Sequence, residues 1–590
     1  MTKISQLRTS NIFRIVSFAA LFLFVFIFFY RFTAYLFFYQ EKASLFLLTG
    51  EYFSGLVNRP GGFLNWLSQF QTAFYHSPFA GAFIISTEIC FITFLMFLTG
   101  KILVTKSEMI VPVFAGVGLF LLQINYQFAA INTLGILLQL LLFVLTIRFL
   151  KGEKIWISIV PFPLWYFLTG SFSVLFFCLI LVYLVLYYKK GILLKLSTLI
   201  LLTCVVVFAG GEWLFYLPVK QLLIFPYAVE TTGNQQNLLF GVVILIILFL
   251  VFLNANFRKG NENRFVRIFV DVLPLIVLLA TALFSLNRVD KKNRHFFEVE
   301  KQFYQRNFEG VIRLNEKEPS MNMLTNYLNN IALAEKGVLC DQLFRFPQST
   351  DGRTLFLHWE LTGEVLRKGG YFYYSLGMTN EAARWAYEYM VMRGFSPEGL
   401  KLLIKTELIN ENYELAAKYN AILKSSLFYK KEAAKFAKLL ENHDLIDKDQ
   451  ELGKVKRLKT KADFFVLAEN PPANIDSVLN SDPANFVAVQ YKFALLLLQK
   501  DYKTITEMLP VLEKAGFTRI PKNIEEAVVA YCLLNRISFP VLEKLAINPQ
   551  TAQRFDRYYQ IFQQNSTNKT AAQRALREFK DTYWYYVFFN

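Results

Sequence analysis

The sequence predicts an all-α protein in two parts, a polytopic bundle of membrane-spanning helices followed by a soluble α-solenoid. Three observations carry this. The 590-residue chain is 54% hydrophobic and 17% aromatic, richer in apolar residues than the roughly 45–50% of ordinary domains and longer than one soluble core sustains. Runs such as "FAALFLFVFIFFY" (18–30) and "LLFGVVILIILFLVFLNANF" (238–257) approach the roughly 20 apolar residues that cross a bilayer core. Charge is divided unevenly: residues 1–289 hold 20 Lys and Arg against 9 acids, most of these bases flanking apolar runs, and the remainder hold 42 against 36. The boundary falls in "LNRVDKKNRHFFEVEKQF", giving a membrane domain over 1–289 and a helical domain over 290–590.

Taken in order, hydrophobic windows predict about nine spans near 12–36, 79–99, 109–124, 130–149, 155–170, 171–188, 196–213, 237–257 and 267–286. The pair around Gly170 is joined by almost no loop. The start "MTKISQLRTSNIFRIV" runs into a long span without a small-residue cleavage site, so it reads as an uncleaved first helix. Fifteen basic residues, among them Lys101, Arg148, Lys189 and Arg258, fall at alternate span ends, and five (Arg31, Lys42, Arg59, Lys220, Arg288) fall at the others. Positive charge is retained in the cytoplasm, which predicts a cytoplasmic N-terminus and everything after Arg288 outside.

Beyond Arg288 the chain reads as helix after helix, with turns at "FSPEG", "NPPANIDS" and "SDPAN". "NEAARWAYEYM" (380–390) aligns on "ELAAKYNAIL" (414–423) with Ala382 on Ala416 and Trp385 on Tyr419, an offset of 34 residues and thus the tetratricopeptide period. Stacked units of this kind bury their apolar faces only on one another and leave a groove for a protein partner. An irregular helical bundle is the plainer alternative. The formal charge of +17 has no concentrated basic tract behind it, which argues against nucleic acid. Cys340 and Cys532 are the two cysteines of the tail, read as two unpaired buried thiols with a single disulfide between them in an oxidising compartment as the alternative, and neither Cys nor His falls at metal-ligand spacing.

The first loop, 37–78, is where chemistry is expected. In "TGEYFSGLVNRPGGFLNW" the turn Pro60-Gly61-Gly62 breaks the chain. After it Phe63, Leu64, Trp66, Leu67, Phe70 and Phe74 recur at helical spacing, while Asn65, Ser68, Gln69 and Gln71 share the other side, the pattern of an interfacial helix. Polar groups gather around it on the predicted outer side: Glu41, Lys42, Glu51, Arg59, His76, Glu212, Lys220 and Glu230. Glycosyl transfer from a lipid phosphate needs a carboxylate for the acceptor proton and a cation for the departing phosphate. Glu41 or Glu51 fits the first role and Arg59 or Lys220 the second, with Trp66, Tyr75 and Trp213 as rings for sugar faces. Each charge has a plainer use in keeping a loop solvated. Glu88, inside "FIISTEICFITFL", is costly there unless protonated, paired or wet, and is either a supporting site residue or a structural one. Residues 1–270 contain no Asp. No nucleotide-binding loop, nucleophile elbow or metal site is present, and the only donor implied is a polyprenyl-phosphate-linked sugar.

Two resemblances follow. An early acidic loop with an interfacial helix, in a many-span bundle with an outward C-terminal domain, resembles the membrane glycosyltransferases of the C-type fold. That likeness implies an undecaprenyl-phosphate-sugar donor and a first-loop base at Glu41 or Glu51, although those enzymes commonly place Asp in that loop. "RPGGFLNWLSQF", "NYLNNIALAEKGVLCDQLFRFPQ" and the 376–433 stretch resemble a family of Bacteroidota membrane proteins with helical-repeat C-termini, which implies a Gram-negative envelope and no particular activity. Two functions fit: sugar transfer at the periplasmic face with the tail recruiting the acceptor, or a noncatalytic envelope scaffold whose repeat groove binds a protein.

Overall fold

The computed structural model describes residues 3–590 except 105–107, 151–153, 155–160, 188–200, 202–204, 206–217, 228–232, 257–263, 361, 463, 566–567 and 590; for residues 3–10, 219–221, 233–235, 255–256 and 264–268 it describes the backbone alone. Among these residues the regular structure is helical, with one isolated bridge between Leu47 and Ser426. The chain forms two compact units, Met1–Asp290 with Ser425–Phe428, and Lys291–Lys424 with Tyr429–Asn590.

The first unit contains α1 (Lys3–Arg31), α2 (Tyr35–Ala43), α3 (Gly50–Val57), α4 (Gly62–Ala73), α5 (Pro78–Leu103), α6 (Ile110–Gln123), α7 (Ala130–Phe149), α8 (Phe162–Thr169), α9 (Ser173–Tyr187), α10 (Val219–Ile224), α11 (Gly233–Asn256) and α12 (Arg264–Leu286). Among the described residues six runs are long and apolar enough to cross a membrane, where the sequence leads one to expect nine spans over the whole chain: Asn11–Arg31, Pro78–Leu103, Ala130–Phe149, Phe162–Tyr187, Gln236–Asn254 and Phe269–Leu286. The span expected at 109–124 is the 14-residue α6, about 21 Å long against a core of about 30 Å, and that at 196–213 lies outside the described residues.

Phe162–Tyr187 is not one straight crossing. Phe162 and Phe177 are fifteen residues apart, which is about 22 Å along a straight helix, yet their ring centroids lie 6.0 Å apart. The chain folds back at Gly170, whose φ of +59° suits a residue without Cβ, and α8 and α9 lie side by side. α5 is the central post, packed against α1, α6 and α7. Close approach is permitted by glycines: a Cβ at Gly116 would meet Thr93 and Leu21, and one at Gly135 would meet the Phe172 ring.

In the second unit α13 (Lys291–Tyr304), α14 (Met323–Glu335), α15 (Gly363–Ser375), α16 (Thr379–Arg393), α17 (Pro397–Ile409) and α18 (Tyr413–Lys424) come first, followed by α19 (Leu452–Leu458), α20 (Phe486–Gln499) and α21 (Lys522–Asn535). From α15 to α18 each helix packs on the next. The aligned residues occupy matching places: Ala382 and Ala416 are fully buried, on α16 and α18, and Trp385 and Tyr419 fill the space beside them. Later helices fold back over this row. Glu451, at the start of α19, is bonded by Arg306, by Lys405 of α17 (2.8 Å) and by Tyr374 of α15, while Tyr491 of α20 meets Phe372 edge-on at 4.9 Å. Helices later in the second unit thus pack back on α14, α15 and α17.

Candidate functional site

The glycine turn of the first loop proves to be a docking point. Gly61 adopts φ +80°, and its N–H donates to Phe167 O of α8 at 2.8 Å. A Cβ there would strike the Pro226 ring and lie 3.2 Å from Gly170 Cα. On the same junction Ser171 N donates to Phe225 O (3.1 Å), Ser171 Oγ to Ile224 O (2.8 Å) and Tyr166 OH to Leu222 O (2.8 Å). Three turns, at 60–62, 170–172 and 225–226, lock one another and thereby set where α4 begins. α4 then packs on α7 and α8 with Leu64 fully buried.

This fixes the rotation of α4. Its aromatic side joins the loop's own rings: Trp66 lies 5.6 Å from Phe46, 5.3 Å from Phe53 and 5.9 Å from Phe70. Its polar side lines a cleft of about 310 Å³ through Asn65, Ser68, Gln69 and Thr72. The opposite wall comes from Tyr39, Gln40 and Ser44 at the end of α2, and from Tyr126 to Ile131 between α6 and α7, with Pro226 at one edge. Gln40 Nε2 ties the two parts of this opposite wall by donating to Phe128 O at 3.0 Å, and Tyr39 and Tyr126 meet edge to face at 4.9 Å. Gln69 accepts from Tyr52 OH, whose burial pushes its ionisation up to about 12. None of the lining residues is charged. Such a surface offers amide and hydroxyl donors and acceptors together with two aromatic faces.

The expected carboxylates do not line this cleft. Glu41 is 6% exposed and faces Lys42 (3.4 Å) and His76 (3.6 Å), against which Phe428 stacks at 5.2 Å. Glu51 is exposed on the first turn of α3. Glu88 is buried in α5. Arg59 stacks on Phe225 at 3.9 Å, next to Pro226. Trp66 belongs to the aromatic cluster, and Tyr75 is buried against Phe37 (5.1 Å), accepting from Gln71 Nε2 at 3.1 Å. Trp213, Glu212 and Glu230 lie outside the described residues, as does the Lys220 side chain. Sequence reasoning identified the polar side of α4 but missed Tyr39, Gln40, Ser44 and Tyr126. The polar run "QINYQ" (123–127) between two apolar helices was the available signal. Among the described residues no group of His, Cys, Asp or Glu is placed to hold a metal. Cys340 and Cys532 are free thiols, both buried, Cys340 against Gln490 O.

A bundle with several helices long and apolar enough to cross a membrane, a neutral polar cleft at one end and a second, helical unit describe a polytopic helical protein of membrane character. The chain belongs to a family of unknown function, DUF6057, whose pattern matches residues 9–590. No curated protein and no solved structure matches it.

Proposed function

We propose that this protein recognises a neutral sugar in the cleft between α2, α4 and the α6–α7 connection, as the head of a lipid-linked carrier in a bacterial envelope. The observation behind this reading is the composition of the lining: carboxamides, hydroxyls and two tyrosines with no charge. Vicinal hydroxyls of a sugar pair with carboxamides, and the apolar faces of its ring pack on aromatic rings. A charged headgroup finds no counterion among the described lining residues. Our reading keeps the bundle in the inner membrane with the cleft and tail on the periplasmic side, as the segregation of basic residues supports. The tail is read as a degenerate tetratricopeptide-like array, from its 34-residue offset and matched Ala and aromatic positions.

Recognition is favoured over transfer because no described carboxylate lines the cleft. A transfer step rests on Glu41, which lies between the lining residues Gln40 and Ala43 in the chain, with a polyprenyl-phosphate-linked sugar as donor and Arg59, stacked on Phe225 beside Pro226, as the cation. On this reading a protein acceptor is recruited by the helical tail.

The test pairs two measurements on the full chain. Saturation-transfer NMR in lipid nanodiscs with neutral mono- and disaccharides is expected to show contact in the wild type and none in Ser44→Phe, which fills the cleft. Lipid-linked sugar pools in cells carrying Glu41→Gln separate transfer, which changes them, from recognition alone, which does not. A wild type silent to every neutral sugar, with normal pools in Ser44→Phe cells, removes the sugar reading.

A further inference from the structure

The first unit holds a piece of the tail. Ser425–Phe428 belongs to it, although the residues on either side do not. Leu48 N donates to Ser425 O at 2.9 Å, Leu47 bridges to Ser426, and Phe428 meets Phe74 edge-on at 5.7 Å and stacks on His76 at 5.2 Å. These partners lie in the connection between α1 and α5, two helices long and apolar enough to cross a membrane. The segment therefore sits at the end of the bundle where α1 stops and α5 starts. The chain enters it from Lys424 and leaves it through Tyr429 into Lys430.

The helix that follows, Lys430–Glu441, packs on α18 and buries Ala433 and Phe436. Away from that side, Lys430, Lys431, Lys435 and Lys438 fall within about 140° of the helix circumference at roughly 100° per residue, and all four are exposed. Lys418 and Lys424 are exposed on α18. The acids of the helix are Glu432, half-buried, and Glu441, its last residue. Among the described residues no carboxylate forms an ion pair with any of the four lysines, whereas Lys336, Lys456, Lys492 and Lys522 each hold one. Residues 413–438 carry six lysines against Glu414 and Glu432, a net four of the six positive charges by which bases exceed acids beyond Arg288. Along the chain these lysines are spread among apolar residues and form no tract; the helix gathers them on one side. Lys431 and Lys435 stand one turn apart, a like-charge spacing that weakens a helix unless anions meet it.

We propose that the lysine face of Lys430–Glu441 binds the anionic phospholipid headgroups of the bilayer that holds the first unit. Basic clusters close to membrane-length helices are drawn to acidic lipid, each lysine strengthening the attraction by a factor of about five within a Debye length of the surface. A folded acidic protein must present carboxylates at matching positions, whereas lipids diffuse to meet the lysines, and the chain itself keeps this helix close to the bundle. The face does not depend on what the cleft recognises.

The experiment uses the full chain in nanodiscs of phosphatidylcholine alone and of phosphatidylcholine mixed with phosphatidylglycerol. Acylation of individual lysine amines by a water-soluble reagent is followed by mass spectrometry at low and high salt. Lys430, Lys431, Lys435 and Lys438 are expected to react at least about fivefold more slowly in the anionic nanodisc at low salt, with the difference gone near 1 M salt. Lys503, in the same unit and 73% exposed, keeps its rate. In Lys431→Gln/Lys435→Gln the attraction drops roughly 25-fold, so Lys430 and Lys438 regain their reactivity; both substitutions fall on exposed positions and leave the fold intact. Equal rates in the two nanodiscs at low salt overturn the proposal. Protection found in native membranes but absent from anionic nanodiscs also overturns it, and assigns the face to an acidic protein.

Discussion

Glu88 of the membrane unit and Glu300 of the helical unit are both buried carboxylates, and their surroundings could hardly differ more. Glu300 Oε1 receives Arg367 at 2.9 Å, Lys368 at 3.0 Å and Tyr304 OH at 2.8 Å, and all three charged side chains are at most 1% exposed. Glu364 completes the balance by bonding both cations. Glu88, buried in α5, forms no ion pair with a described cation. A buried charge matched on site is part of the scaffold, whereas one left unmatched is costly in its charged form. The comparison separates an acid neutralised by its neighbours from one that is not.

The largest effect expected from breaking this contrast is Glu300→Gln. It leaves Arg367 and Lys368 with one carboxylate between them and should cost roughly 3–5 kcal/mol, read as lost hydrogen-exchange protection in α15. Next comes Gly61→Ala, which combines a left-handed backbone with a Cβ pressed on Pro226; a loss of about 2–4 kcal/mol is expected, seen as a lower unfolding midpoint and faster exchange in α4.

A third prediction uses pH. Burial pushes the Glu526 carboxyl up to about 7, against the opposing pull of the Tyr583 N–H at 2.6 Å and of Lys522. Stability from a carboxyl raised in this way is complete below about 4.5 and is lost as pH rises through about 7. Asp581 runs the other way: burial raises it, but bonds from Arg554 and Lys522 outweigh that and hold it at about 2. Its share is complete above about 3.8 and is lost as pH falls through about 2. Glu526→Gln should therefore unfold later than wild type at pH 8, by about 1–3 kcal/mol, with the gain gone at pH 4. The smallest effect is Glu88→Gln, within about 1 kcal/mol, read from the unfolding midpoint. A cost matching that of Glu300→Gln would abolish the distinction between the two acids.

Much of the architecture was legible because it follows from local pattern. Apolar runs of about 20 residues, the exit near Arg288, the fold-back at Gly170 and the matched Ala and aromatic positions of α16 and α18 all rest on hydrophobicity, periodicity and glycine. The two-sided character of α4 was legible for the same reason. The cleft was legible by half: the polar side of α4 stood out, but the wall it faces comes from α2 and from residues some sixty positions later, and no periodicity links them.

Composition and spacing alone determined that the chain is helical, that its first half is rich in apolar runs of membrane length and that residues 1–270 offer glutamate but no aspartate. Only the tertiary structure decided which glutamates are paired, which face of α4 meets which wall, and that later helices of the second unit pack back on earlier ones. Those outcomes depend on contacts between residues far apart in the chain. The charge of Glu88 and that of Glu300 are the same in sequence; the cations that reach one and not the other are set by helix packing.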